Sequence, residues 1–361
     1  MLMSTKTEVG GSWLIEDEPT HFRRWGTNIT HPFPPPPGGI IGAAAKGCWL
    51  QLHDDSGRVS RQHAQLIHHN GRWMVCDMHS KNGVHHDGAR RSSVALAPGV
   101  EIGIGGITLI AESPLLAALR EVLFRLIGWS DDRLEDVDLA LRAIRIAATC
   151  RESLHICGDG DLVSIAQLLH RYTLGESRPF IVCDPRRKRA DSSARSATNY
   201  TSGMEALSAA AGGTLCIWQN RRPDDFDQVI EARRRNPAMR VQLVVCTHTL
   251  QPTAPLIASP IVFPPLSERS SELDRIIDAF AADAGATPGA TLTLVEREWI
   301  YQHEASSLSR ILKATRRLIA IRKNDGGMTH AAADLGMAHG TLSEWFARRT
   351  LEIGGDDDDD N

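Results

Sequence analysis

Between Gly38 and about Ile110 apolar and polar residues alternate over short runs: W-L-Q-L (49–52), A-Q-L-I (64–67), W-M-V-C (73–76), V-A-L (94–96), E-I-G-I (101–104) and I-T-L-I (107–110). Alternation with a period of two places every second side chain on one face, the pattern of half-buried strands. The pairs Asn70-Gly71, Asn82-Gly83, Asp87-Gly88 and Pro98-Gly99 punctuate these runs at regular spacing and suit tight hairpins. An all-β sandwich is therefore expected over 38–112. Ser113-Pro114 stops the strands, and L-L-A-A-L-R-E-V-L-F-R-L-I changes to a helical period. From there to about Ala281, helical stretches separate four unbroken apolar runs: L-H-I-C before Gly158, P-F-I-V-C before Asp184, G-T-L-C-I-W after Ala210, and V-Q-L-V-V-C-T before His248. Strands that are apolar on both faces predict a parallel sheet covered by helices, an α/β layer spanning 113–290. The chain from 291 to 352 reads as helical.

The flanks carry less. Residues 1–37 are weakly patterned until Pro32-Phe33-Pro34-Pro35-Pro36-Pro37, which cannot be helix or central strand and reads as an extended spacer or a long hairpin loop. At 361 residues there is room for two to three domains, and 42% apolar with 23% charged residues is ordinary for a globular chain. The net charge of −4 hides an asymmetry. From Leu308 to Thr350 there are eight Lys/Arg against three Asp/Glu, followed by an acidic tail over 353–361 that contains Asp356–Asp360. The seven cysteines form no C-x-x-C pair and lie mostly in apolar runs, as reduced, buried thiols do. No metal or other cofactor is expected, because adjacent histidines such as His68-His69 point to opposite faces of a strand. With no apolar stretch of membrane-spanning length, a cytoplasmic protein without a membrane partner is expected.

Two polar loops carry the candidate chemistry. The first reads Ser60-Arg61-Gln62-His63; the second contains Ser80-Lys81-Asn82-Gly83. A hydroxyl, two cations and an amide brought together at one end of a sandwich suit a doubly charged phosphoryl group on a peptide. This pair of loops resembles the forkhead-associated (FHA) family, over about Ile40 to Glu112. The resemblance implies binding of phosphothreonine peptides, with Ser60 bonding the phosphate, Arg61 supporting it and Asn82 holding the peptide backbone. Lys81 takes the place of a usual Ser/Thr and adds a cation, while His63 and Gly83 shape the loops. The strand before the first loop usually ends in a Gly-Arg step; here it reads Ile41-Gly42-Ala43, and the arginine is missing. Lys46, Arg58 and Lys81 lie near enough in the sequence to compensate.

Four stretches between about Cys157 and Leu273 resemble the AAA+ domain of bacterial enhancer-binding proteins, the activators that work with sigma-54 polymerase. They are I-C-G-D-G-D-L-V-S-I-A-Q-L-L-H-R, P-F-I-V-C-D-P, G-G-T-L-C-I-W-Q-N and F-P-P-L-S-E-R-S-S-E-L. The catalytic residues do not match. A phosphate loop needs a Lys and a Ser/Thr hydroxyl, whereas Gly158-Asp159-Gly160-Asp161 supplies two carboxylates. The carboxylates expected after the third strand are replaced by Trp218-Gln219. The resemblance thus implies a three-layer α/β core without ATP hydrolysis, and the chain is not expected to be an enzyme. The basic run Arg186-Arg187-Lys188-Arg189 admits both a solvated loop and an anion contact.

Near the end, L-S-R-I-L-K-A-T-R-R-L-I-A-I-R-K is amphipathic, with Ile311, Leu318 and Ile321 toward one face. Thr329 is expected to cap a short helix, Gly336 to make a tight turn, and H-G-T-L-S-E-W-F-A-R-R to form a second helix over a core of Leu335, Met337, Leu342 and Trp345 or Phe346. This helix–Gly–helix spacing resembles the Fis-type helix-turn-helix of the same enhancer-binding proteins. It implies base contacts from His339, Gly340, Thr341, Ser343 and Glu344, and phosphate contacts from Arg348, Arg349, Lys323 and Thr329. Fis-type ends also dimerise, so a homodimer or higher oligomer is expected. Together the three parts describe a bacterial signalling and transcriptional regulator with a phosphothreonine partner and DNA as its ligands. The residues also admit an adaptor that binds protein at both ends and does not bind DNA.

Overall fold

The computed structural model describes residues 18–150, 152–187, 197–249, 260–287 and 291–353. They divide into two units, one ending at Val262 and the other made of Gly158–Leu162 and the chain from Phe263 onward.

The first unit begins with eleven strands: β1 (His21–Arg24), β2 (Thr30–Pro32), β3 (Gly38–Gly42), β4 (Leu50–Gln51), β5 (Ala64–His69), β6 (Arg72–Asp77), β7 (Val84–His86), β8 (Ala89–Arg91), β9 (Ser93–Ala95), β10 (Glu101–Ile104) and β11 (Ile107–Glu112). They form two sheets, β2-β1-β11-β10-β7-β8 and β4-β3-β5-β6-β9, that enclose a core including Phe22, Ile41, Leu66, Val75, Ile102 and Leu109. Asn70-Gly71 and Asp87-Gly88 both take positive φ, giving two-residue hairpins β5–β6 and β7–β8 as the turn pairs predict. The sandwich starts earlier than the expected boundary at 38. β1 inserts between β2 and β11, and Phe33 of the Pro-rich stretch packs against Trp49 and Trp73.

β1 escapes sequence reading because it does not alternate: Phe22 and Arg23 are both buried. Phe22 enters the core, while Arg23 faces a helical hairpin formed by α1 (Pro114–Ile127) and α2 (Leu134–Cys150). The Arg23 Nε donates to Glu112 (2.7 Å), and its other nitrogens bond both carboxylate oxygens of Asp138 on α2. Asp138 also accepts from the Gly26 amide at 2.7 Å. Burial pushes the Glu112 carboxyl up, but the His21 hydrogen bond and the Arg23 and Arg120 charges outweigh it and hold it below the usual carboxylate range. Arg142 on α2 adds a bidentate pair with Glu101 and lies over the Trp25 ring. The hairpin is thus bonded to the sandwich.

The rest of the first unit is α/β. Strands β12 (Leu154–Gly158), β13 (Phe180–Cys183), β14 (Thr198–Tyr200), β15 (Thr214–Trp218), β16 (Gln242–Thr247) and β17 (Ile261–Phe263) make a sheet in the order β14-β13-β15-β16-β12-β17. The pairings β12–β16, β16–β15, β15–β13 and β13–β14 are all parallel. Leu215, Ile217, Leu243 and Val245 pack on α4 (Gly203–Ala209) and α5 (Phe226–Arg235). On the opposite face His170 of α3 (Leu162–Leu174) bonds Thr214 at 2.8 Å. Helices therefore cover both faces, the mixed α/β arrangement expected from the four apolar strands. β14, reading T-N-Y, has no apolar run to announce it.

In the second unit, α6 (Leu273–Asp283), α7 (Leu294–His303), α8 (Leu308–Lys323), α9 (Met328–Asp334) and α10 (His339–Ile353) follow one another. Ala320, Ile321, Ala331, Ala332 and Leu342 form a small core, with Met328, Leu335, Met337, Trp345 and Phe346 around it. Thr293 and Glu296 make a reciprocal capping box at the start of α7, and the same Glu296 pairs with Arg322 at 2.8 Å. No helix among the described residues is long and apolar enough to cross a membrane.

Candidate functional site

The two loops at the apex of the sandwich are fastened to each other from beneath. His63 is fully buried; its Nδ1 accepts from the Ser60 amide (3.0 Å), which leaves Nε2 protonated to donate to the Gly83 carbonyl (3.0 Å). The Lys81 amide donates to Ser60 Oγ at 3.1 Å, so the hydroxyl keeps its own proton to donate elsewhere. Asn82 Nδ2 donates to the Arg58 carbonyl at 2.7 Å. Ser80 closes the second loop by accepting from the Gly83 amide at 2.9 Å and donating to Asp77. Ser60 and Lys81 are thus joined by a direct bond, and Asn82 is tied to the chain just before Ser60. His63 bonds one residue of each loop from the core side.

Two glycines make this approach possible. A Cβ on Gly42 would lie 2.2 Å from the Arg61 carbonyl oxygen, a backbone atom that cannot step aside. Gly83 has φ +80°, a left-handed conformation that costs most side chains energy. Around the apex Arg58, Arg61 and Lys81 are exposed. Ala43 is exposed too, and its amide donates to the Ser60 carbonyl (3.0 Å), which places position 43 directly across from Ser60.

The turn that leads into Ser60 is built around a carboxylate the sequence pattern does not single out. Asp54 accepts from the Ser56 hydroxyl (2.6 Å) and from the amides of Ser56, Arg58 and Gly106. The Ser56 hydrogen bond and these amides hold the Asp54 carboxyl at about 2. The spacing D-x-S-x-R is the signal that marks such a self-bonded turn. The histidines of the sandwich have separate partners: His85 the Asn82 carbonyl, His86 the Glu101 carbonyl and the Asp87 carboxylate (3.2 Å), and His68 the Trp73 ring.

At the α/β sheet, Gly158 and Gly160 turn the chain from β12 into α3 with positive φ, the strand–turn–helix position of a phosphate loop. Asp159 is exposed, and no lysine or hydroxyl belongs to this turn. A Cβ on Gly160 would lie 3.3 Å from Ser307, the cap of α8, and one on Gly158 would lie 2.7 Å from the Phe263 carbonyl oxygen. The turn is packed against its own unit. Trp218 is buried beneath the ring of His248, 4.6 Å away, at the ends of β15 and β16. Of the basic run, Arg187 pairs with buried Asp184 at 3.3 Å, as Arg221 does at 3.1 Å; Lys188 and Arg189 lie outside the described residues.

In the C-terminal unit, His339, Gly340, Thr341 and Glu344 at the start of α10 are exposed, with Ser343 half-buried. Arg348 forms an exposed pair with Glu344 at 3.6 Å, and Ser343 lies 3.4 Å from His339. Lys323 and Thr329 are both exposed, and the Lys323 ammonium donates to the Ala284 carbonyl at 2.9 Å. Thr329 does not cap α9, contrary to expectation: the helix begins at Met328, two residues before the start a Thr329 cap would give, and Gly327 takes the cap position without a side-chain bond. The side chain of Arg349 and the acidic tail beyond Ile353 lie outside the described residues.

A β-sandwich with two loops locked together over a buried histidine, presenting a hydroxyl, an amide and cations at one end, defines an all-β interaction module. Residues 39–105 match the FHA domain family, and this part of the chain is an FHA domain. Solved structures similar to the chain include one from a structural and functional analysis of phosphothreonine-dependent FHA domain interactions, at 22% identity over 26% of this chain and 94% of that one, with a TM-score of 0.24. Another is Mycobacterium tuberculosis EmbR in complex with a low-affinity phosphopeptide, at 26% identity over 27% of this chain and 24% of that one, TM-score 0.24. A third is the FHA domain of the CT664 protein from Chlamydia trachomatis, at 23% identity over 26% and 95% of the two chains, TM-score 0.24. No curated protein matches the chain.

Proposed function

We propose that this protein is a regulator that recognises a phosphothreonine-containing protein through its FHA domain and binds DNA through its C-terminal helices, without hydrolysing ATP. The observation that carries the reading is the bond from the Lys81 amide to Ser60 Oγ over the His63 brace. It holds a hydroxyl donor and the Asn82 amide at fixed separation, with cations around them, which is the preorganised donor set a phosphopeptide needs. The FHA match supports phosphothreonine as the ligand. The carboxylates at 159 and 161, and Trp218 against the His248 ring where an acidic pair is needed, support the absence of ATP hydrolysis in an AAA+-like core. A Gly336 turn at φ +62° between α9 and α10, with small polar residues exposed at the start of α10, supports a Fis-type helix-turn-helix.

The test is a gel-shift assay on genomic fragments with and without a phosphothreonine peptide, in parallel with peptide binding by the full chain. Retarded DNA bands that respond to the peptide are expected. Phosphopeptide binding without any retarded fragment would leave only the adaptor reading. One observation favours that second reading: the exposed start of α10 offers no Arg, Asn or Gln for bidentate base contacts. Under it, Ser60→Ala removes partner capture, and neutralising Arg348 and Arg349 changes nothing.

A further inference from the structure

The phosphate site lacks a cation at position 43, directly across from Ser60, and Ala43 cannot supply one. Two residues before Ser60, Arg58 is fixed on three sides. Its carbonyl accepts from Asn82 Nδ2 at 2.7 Å, its amide donates to Asp54 Oδ2 at 3.0 Å, and its Nε donates to Ser56 Oγ at 3.0 Å. Among the described residues no carboxylate pairs with its guanidinium, and the side chain is exposed. An arginine held at Nε still presents its two terminal nitrogens as a fork, the geometry that matches phosphate oxygens. Neither Lys46 nor Lys81 has this preparation, because an ammonium on a flexible stem meets the ligand as a point charge.

We propose that Arg58 is the residue that grips the phosphate in this domain, replacing from the next strand connection the arginine absent at position 43. This rests on the phosphopeptide reading above. The fit is indirect but complete: Asn82, expected to hold the peptide backbone, also holds the carbonyl of Arg58, so the peptide contact and the phosphate contact share one support. The Asp54 carboxylate is occupied by the Ser56 hydroxyl and by the amides of Ser56, Arg58 and Gly106 and makes no ion pair with the guanidinium.

The experiment uses the full chain and a fluorescent phosphothreonine peptide pool with mixed flanking residues, beside the same pool unphosphorylated. Wild type is expected to bind the phosphorylated pool more tightly. Arg58→Ala is expected to weaken that binding by ~10- to ~150-fold, the loss of one charge-assisted contact, and to leave the unphosphorylated pool unaffected. Arg58→Lys is expected to fall between them. Ala43→Arg added to Arg58→Ala is expected to restore affinity, a rescue that a merely structural role of Arg58 would not show. The inference is overturned if Arg58→Ala binds the phosphorylated pool as wild type does, weakens both pools equally, or changes only which flanking residues are selected. If wild type does not distinguish the pools and Ser60→Ala matches it, the phosphopeptide reading itself falls. If Ser60→Ala alone loses discrimination while Arg58→Ala keeps it, only the assignment of Arg58 falls.

Discussion

The apex loops of the sandwich and the turn after β12 both place glycines and polar groups at the end of a strand, where an anion could be received. At the sandwich, the donors are tied together and surrounded by Arg58, Arg61 and Lys81. At β12, the same kind of turn carries Asp159 and Asp161 and is closed against Phe263 and Ser307. Backbone geometry is kept in both places, and charge and access are kept in one. A phosphate-loop shape is therefore weak evidence of a phosphate site, because the turn also serves to pass the chain from strand to helix.

The largest expected effect sets a buried carboxylate behind the sandwich against an exposed one in the β12 turn. Asp138→Ala removes one of the two carboxylates bonded to the buried Arg23 and is expected to cost about 3–5 kcal/mol of stability, whereas Asp159→Ala is expected to stay within about 0.5 kcal/mol; urea unfolding of both variants checks this. A second test uses pH. Burial lowers the His155 imidazole to about 4, and its Nε2 has no hydrogen-bond partner among the described residues. Between that value and about 6.5 the unfolded chain binds the extra proton, so stability is full above pH 6.5 and falls as pH drops toward 4, by about 3 kcal/mol. His155→Phe is expected to flatten that part of the stability–pH curve relative to wild type. Thermal shifts then compare the two loops directly: a phosphothreonine peptide at a hundredfold excess over its Kd is expected to add about 2.7 kcal/mol, while magnesium-ATP adds nothing. A rise in melting temperature with ATP would end the comparison. The smallest effect lies at the C-terminus, where Arg348→Ala, losing only an exposed pair with Glu344, is expected to leave stability within about 0.5 kcal/mol and to reduce the salt slope of DNA binding by about one.

Legibility in the sequence followed burial on one face. β5, β6 and β10 could be read because one face meets the core and the other is more open, and β12, β13, β15 and β16 because both faces are mostly apolar. β1 could not, since Arg23 is buried by a carboxylate that arrives more than a hundred residues later. The site residues Ser60, Lys81 and Asn82 were legible as a motif, together with the missing arginine at 43. The support of Arg58 by Asn82 was not, because it depends on a carbonyl, and every residue has one. For the same reason the cap of α9 was misplaced on Thr329: the backbone starts the helix without help from a side chain.

The guanidinium of Arg23, shared between Glu112 at the end of the last strand of the sandwich and Asp138 early in α2, leaves no swivel at Ser113. The sandwich and the α1–α2 hairpin are cross-bonded well past the end of the FHA match at 105, as far as Arg142 on α2. Cutting the chain after Glu112 would therefore strip the buried Arg23 of Asp138 and uncover the outer face of β11, so the sandwich needs the helical hairpin to fold as it does here.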